Sequence, residues 1–152
     1  MSEMSQFQPS VEELESINQR LEGQASQEVL AYGLAQYFPS IVLACSFGPE
    51  DVVIWDMMHQ INPKASFFYL DTDFLFKETH DVREWIKAKY KLESEQMIEV
   101  KSDFTPEQQA EKFGDLLWIR QPDQCCKIRK VDPLNRILKS YSAWVTGIRR
   151  DQ

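Results

Sequence analysis

The chain has 152 residues, of which 43% are hydrophobic, 27% charged and 12% aromatic, the size and profile of a single folded domain with a sizeable core. A multidomain assembly, a disordered chain and a collagen-like one are excluded. The net charge of −7 argues against extended nucleic acid as a partner, because phosphate-tracking proteins carry a broad excess of Lys and Arg.

Residues 1–9 are polar, include Pro9 and read as a flexible arm. Ser10 and Glu13 have capping-box spacing, and Val11, Leu14, Ile17 and Leu21 recur at helical intervals up to Gly23. A second helix opens at Ser26, carries Val29, Leu30, Leu34, Tyr37 and Phe38, and ends at Pro39, so two packing helices precede any strand. Ile41 to Cys45 is a short apolar run of the kind buried in a parallel sheet. Pro49, Glu50 and Asp51 then suit the first turn of a helix that runs to about Ile61 and is broken by Asn62-Pro63. The pattern repeats with a strand over Ser66 to Leu70, a helix from about Phe76 to Tyr90, and a strand over Met97 to Val100. Pro106 to Phe113 and Pro122 to Leu138 read as helices, the latter with a break near Asp132-Pro133, and Ser142 to Gly147 as a further strand. Strands alternating with helices predict an α/β fold with a parallel sheet and helices on both faces. No apolar run approaches the roughly 20 residues that span a bilayer, and the first residues lack the pattern of a secretory signal. No membrane partner and a cytoplasmic location are therefore expected.

Charge is unevenly spread. Residues 1–124 carry 10 basic and 22 acidic side chains, whereas residues 125–150 carry seven basic ones against Asp132 alone. A basic end on an acidic body suits a small anionic ligand. In open α/β sheets ligands bind beyond the carboxyl ends of the strands, which directs attention to three loops. Ser46-Phe47-Gly48-Pro49 places a hydroxyl, a glycine and a helix start around one point, as an anion site needs; it lacks the GK[ST] of a Walker A loop and the GxGxxG of a dinucleotide fold. The same loop is also an ordinary turn. Asp71-Thr72-Asp73 offers carboxylates and a hydroxyl that suit a nucleoside edge or Mg²⁺, or else a helix cap. Trp144 to Gln152 runs from a strand into Gly147 and the pair Arg149-Arg150, whose guanidinium forks suit sulfate or phosphate oxygens.

Three cysteines, two of them adjacent, make no disulfide framework. On a helix, Cys125 and Arg129 are i, i+4 neighbours, as are Cys126 and Lys130, so each thiol has a cation on its own face. Adjacent thiolates suit a metal centre, iron–sulfur above all; two small buried hydrophobes are the alternative. Cys45 belongs to a buried strand and reads as core. His59 and His80 read as structural or surface residues, and Phe47 is the aromatic whose loop position puts it beside a ligand.

SFGPEDV, LDTDFLFKET, CCKIRKVDPL and WVTGIRRDQ, in this order and spacing, resemble the assimilatory adenylyl-sulfate and phosphoadenylyl-sulfate reductases, from about residue 28 to the end of the chain. The resemblance implies a Rossmann-like adenine nucleotide α-hydrolase fold. It also implies thioredoxin- or glutaredoxin-dependent reduction of adenylyl sulfate, or its 3′-phosphorylated analogue, to sulfite and AMP or its 3′-phosphorylated form. By the same resemblance Ser46, Phe47 and Gly48 line the phosphosulfate site, Leu70, Asp71 and Thr72 meet the nucleoside, and Gly147 and Ile148 approach the adenine. Lys130, Arg149 and Arg150 match basic positions at the anionic end of the substrate, with Lys130 also near the cluster and in a catalytic role. Cys125 and Cys126 resemble half of the ligand set of a four-iron, four-sulfur (4Fe-4S) cluster.

The resemblance also marks departures. The family continues with a further basic contact, a second cysteine pair and a tail cysteine that attacks sulfur, and none of these is in the sequence. Residues 1–152 therefore read as one nucleotide-binding domain forming the N-terminal part of a reductase, inactive by itself and with an exposed sheet edge that favours self-association. The competing readings are an adenine-nucleotide-binding module without redox chemistry and a PP-loop ATP pyrophosphatase. The latter expects SGGxDS where this chain has SFGPED.

Overall fold

A computed structural model gives the structure of residues 9–149. The arm expected over residues 1–9 lies outside them apart from Pro9. Four parallel strands, β1 (Ile41–Ala44), β2 (Phe67–Asp71), β3 (Met97–Lys101) and β4 (Ala143–Thr146), form one sheet in the order β3-β2-β1-β4. Their registers pair Ala44 with both Phe68 and Thr146, and Asp71 with Lys101. Strand edges differ from expectation by a residue or so: β1 stops before Cys45, and β2 and β3 each extend by one polar residue, Asp71 and Lys101, because these two pair across the sheet.

Period-two alternation sends odd and even positions of the central strands to opposite faces. Leu43, Cys45, Phe67 and Tyr69 pack with Trp55 and Met58 of α3 (Pro49–Ile61), Ile86 of α4 (Lys77–Tyr90), and Leu30 and Leu34 of α2 (Ser26–Tyr37). Val42, Phe68 and Val100 face the other way, against Leu134, Ile137 and Leu138. Those three belong to α8 (Asp132–Leu138). Helices therefore cover both faces, as an all-parallel sheet requires. Trp55, Phe67 and Leu43 are fully buried, each contributing about 2 kcal/mol of apolar transfer free energy.

Two expectations fail. The first helix, α1 (Val11–Leu21), has the foreseen capping box, with Ser10 N–H donating to Glu13 Oε2 at 2.7 Å and Glu13 N–H to Ser10 Oγ at 3.2 Å. Yet it buries none of its residues, and Val11 is 73% exposed, so only α2 of the two leading helices packs into the core. The second concerns the long helix after Pro122. It does not break at Asp132-Pro133: α7 (Pro122–Cys126) passes into a π-helical turn, Lys127–Val131, and on into α8. Proline lacks an N–H and its ring clashes with the carbonyl four residues back. The π turn, in which Asp132 N–H reaches Lys127 O, widens the spiral just before Pro133 and lets the helix continue.

Between β3 and α7 lie α5 (Pro106–Phe113), capped by Thr105, and the short α6 (Leu117–Arg120), which sequence periodicity does not announce. No helix among the described residues is long and apolar enough to cross a membrane.

Candidate functional site

The strand order reverses between β1 and β4, which makes the crevice beyond their carboxyl ends the natural ligand site of this sheet. A cleft of about 880 Å³ opens there. It is walled by the loop after β1, the residues after β2, the start of the π-turn helix and the end of β4. Ser46 and Phe47, Leu70 and Thr72, Cys125, Cys126 and Lys130, and Gly147 and Ile148 all line it. Gly48, Asp71 and Arg149 do not, and Arg150 lies outside the described residues.

The β1 loop is held by a residue the sequence reading treated only as a helix-start acid. Asp51 is 7% exposed, and its Oδ2 accepts the Ser46 N–H at 2.7 Å and the Ser46 hydroxyl at 2.6 Å. Gly48 N–H in turn donates to Ser46 Oγ at 3.3 Å. The strained conformation falls on Phe47, at φ 64°, whereas Gly48 has an ordinary φ of −69°. That turn directs the Phe47 ring inward, 5.2 Å from Tyr69 and 6.0 Å from Phe67 between centroids, so Phe47 fills core and lines the cleft at once. Asp51 also reaches β4, because a Cβ built on Gly147 would overlap Asp51 Oδ1. Glycine at 147 is thus required by close approach. Arg149, expected to face an anion, donates to Glu50 Oε1 at 2.7 Å instead.

The β2 loop is neutralised by cations. Lys101 lies 3.1 Å from Asp71 Oδ2 and 3.3 Å from Asp73 Oδ1, and Arg129 donates to Asp73 Oδ2 at 2.8 Å. Asp73 N–H closes the turn on Asp71 Oδ1 at 2.9 Å. Burial works to raise the Asp71 carboxyl, but the Asp73 N–H and Lys101 outweigh it and hold the group below the usual carboxylate range. Neither Mg²⁺ binding nor helix capping describes this loop. Its acids are satisfied internally, and α4 is entered through Phe76 with no side-chain cap.

On the third wall the two thiols differ. Cys125 is 8% exposed and Cys126 is on the surface. The π turn carries Arg129 inward to 2% exposure, onto a partner it shares with Cys125, while Cys126 and Lys130 both line the cleft. There Arg129 Nε donates to Gln109 Oε1 at 2.7 Å and Nη1 to Phe104 O at 2.9 Å, with the Phe74 ring stacked over Cζ at 5.4 Å. The group that reaches Cys125 is Gln109, whose Nε2 donates to Sγ at 3.8 Å. Lys130 stays exposed, and no salt bridge engages it among the described residues.

An N–H donor on a cysteine sulfur suits an electron-rich, metal-ligating sulfur, and both thiols face one cleft, so this pair fits as half of a four-cysteine set. No three His, Cys, Asp or Glu side chains converge on one point among the described residues. Cys45 has no such role: it is 4% exposed, and burial pushes its thiol up to about 12. Asp51 and Gln109 are the site residues that sequence reasoning missed. Asp51 stood inside a quoted motif, but nothing in the local spacing marks Gln109.

Residues 40–152 match the phosphoadenosine phosphosulfate reductase domain. The chain is 45% identical over 140 residues to adenosine 5′-phosphosulfate reductase of Halalkalibacterium halodurans, which covers 91% of this chain and 59% of that protein. It is 42% identical over 138 residues to the Shouchella clausii enzyme of the same name, with 91% and 56% covered. For adenosine 5′-phosphosulfate reductase 1 of Bacillus subtilis the figures are 43% over 124 residues, with 82% and 52% covered. The chain therefore spans little more than half the length of these relatives. A crystal structure of phosphoadenylyl-sulfate (PAPS) reductase from Candida auris, a phosphate complex, superposes with a TM-score of 0.82 at 28% identity, covering 95% of this chain and 70% of that one. With the four-stranded parallel sheet and the cleft at its switch point, these matches establish that the chain belongs to the phosphoadenosine phosphosulfate reductase family.

Proposed function

We propose that this chain is the substrate-holding domain of an adenylyl-sulfate reductase. In that reaction the sulfate of adenylyl sulfate gains two electrons and leaves as sulfite, AMP is released, and two thiols of thioredoxin or glutaredoxin end as a disulfide. The observation that carries the reading is the cleft itself, which joins a helix-start loop, an adjacent cysteine pair and the exposed Lys130 at the switch point of the sheet.

The placement of these residues supports the following roles. The nucleotide lies across the ends of β1 and β4, with Ser46 and Gly147 against it and Leu70 and Thr72 at its nucleoside edge. Lys130 supplies positive charge for the sulfate end, since among the described residues Arg129 and Lys101 are engaged by acids of the β2 loop and Arg149 by Glu50. Cys125 and Cys126 would supply two of the ligands of a 4Fe-4S cluster, which when bound would add a polarising iron–sulfur centre to the cleft. The attacking thiol is not Cys45, which is buried and held protonated. Adenylyl sulfate is preferred over the 3′-phosphorylated form, as the names of the sequence relatives indicate.

Calorimetric titration of the purified protein tests this. Adenylyl sulfate should bind, Lys130→Ala should weaken it about tenfold, as loss of a charge-assisted contact does, and ATP with Mg²⁺ should yield no pyrophosphate. Pyrophosphate release from ATP, or failure to bind adenylyl sulfate, would replace the reductase with another nucleotide-dependent activity.

A further inference from the structure

Gln109 sits on α5, 16 residues before Cys125, and is 3% exposed. A buried amide must satisfy both its ends, and here both are used. Its oxygen accepts from Arg129 Nε at 2.7 Å and its nitrogen donates to Cys125 Sγ at 3.8 Å. The orientation has one solution. Arg is a donor only, so the amide oxygen must face it and the NH₂ must face the sulfur. Arg129 is itself fixed by Asp73 Oδ2 and Phe104 O, and Asp73 by Lys101 and the Asp71 turn. An unbroken line of polar contacts thus runs from one thiol to the β2 loop on the far side of the cleft. Arg129 Nη2 is left buried with no partner among the described residues, so the guanidinium is held by its other two nitrogens while one donor remains for an acceptor in this polar pocket. Cys126, one residue on, is exposed and makes no contact with Gln109 among the described hydrogen bonds.

We infer that Gln109 is a positioning residue for Cys125: its amide, oriented by Arg129, fixes the sulfur as a hydrogen-bond acceptor and ties it to the Asp71–Asp73 loop. The consequence is an asymmetric pair. Cys125 is pre-set by the protein, whereas Cys126 takes its place from what it binds. Outer-shell hydrogen bonds of this kind set ligand orientation and metal affinity. The effect on iron, though not the contact itself, rests on reading the pair as cluster ligands.

The test is nuclear magnetic resonance of the ¹⁵N-labelled, iron-free, full-length protein, with the Gln109 side-chain amide assigned by its loss in Gln109→Met. Cys125→Ala should shift that amide signal and speed its exchange with water, and Cys126→Ala should leave it in place; Cys125→Ser serves the same comparison should the alanine variant unfold. In iron-loaded protein, Gln109→Glu, which keeps an acceptor for Arg129 Nε and removes the donor to Cys125 Sγ, should lose iron to a chelator about 10-fold faster. An amide signal indifferent to Cys125, or one that responds equally to both cysteines, overturns the inference, as does iron loss at the wild-type rate. An amide that responds as expected in a protein that binds no iron would sink the cluster reading and leave the Gln109–Cys125 contact standing.

Discussion

The loops after β1 and β2 flank a cleft suited to an anion, and the acids beside them are satisfied in opposite ways. After β1, Asp51 is satisfied by the loop it anchors, through the Ser46 amide and hydroxyl. After β2, Asp71 and Asp73 are satisfied by cations from elsewhere in the chain, Lys101 on the neighbouring strand and Arg129 from the π turn. A local clamp sets geometry, and a long-range ion network sets charge. The difference shows how an acidic protein can present an anion site: the acids of the β2 loop are paired with cations before any ligand arrives, and Lys130 brings a positive charge to the cleft.

The comparison can be broken most sharply at Arg129. Replacing it with Met leaves the buried Gln109 oxygen without its donor and takes one of two cations from Asp73, and a cost of about 3 kcal/mol is expected, the upper end for a buried polar group left unsatisfied; urea midpoints would show it. Gly147→Ala attacks the other loop. Its methyl must displace Asp51 Oδ1, for which overpacking of about 2 kcal/mol is the expected loss, accompanied by weaker nucleotide binding in a titration calorimeter. Acid separates the loops more gently. Because the folded fold holds Asp71 below its ordinary value, its contribution is complete at neutral pH, present above the unfolded pKa of about 3.9, and lost as pH falls through the folded value. Thermal melts taken from pH 6 downward should therefore fall in the acid range, and Asp71→Asn should flatten that decline. Lys130→Ala should move stability by less than about 0.5 kcal/mol, as exposed substitutions do, while lowering affinity for adenylyl sulfate.

Much of this was legible in the sequence. Short apolar runs gave the four strands to within a residue or two, and the loops after β1, β2 and β4 pointed to the cleft. Ser10 and Glu13 announced their capping box because capping is local. What escaped was whatever depends on a departure from regular geometry or on distance along the chain. The π turn before Pro133 replaced the break expected there, because helical spacing carries no sign of a widened turn. The helical stripe of α1 was visible, but whether a neighbour covers it is decided by tertiary packing and not by periodicity. Gln109 reaches Cys125 and Arg129 across 16 and 20 residues, and no spacing rule connects them. Phe47, and not Gly48, took the positive φ because its ring has a core to fill.

The bare face of α1 has a kinetic meaning as well. An 11-residue helix with no buried residue has, beyond its own hydrogen bonds and its cap, little more than half-buried Ile17 and Leu21 and the Arg20 contact with the Tyr32 ring to resist opening, and isolated helices of that length are marginal in water. Its amides should therefore exchange with deuterium at nearly the rate of an open chain, while those of β1 and β2 wait for global unfolding. The protein would then have two stability levels in one short chain, a rigid sheet that carries the cleft and an N-terminal helix that opens and recloses without disturbing it.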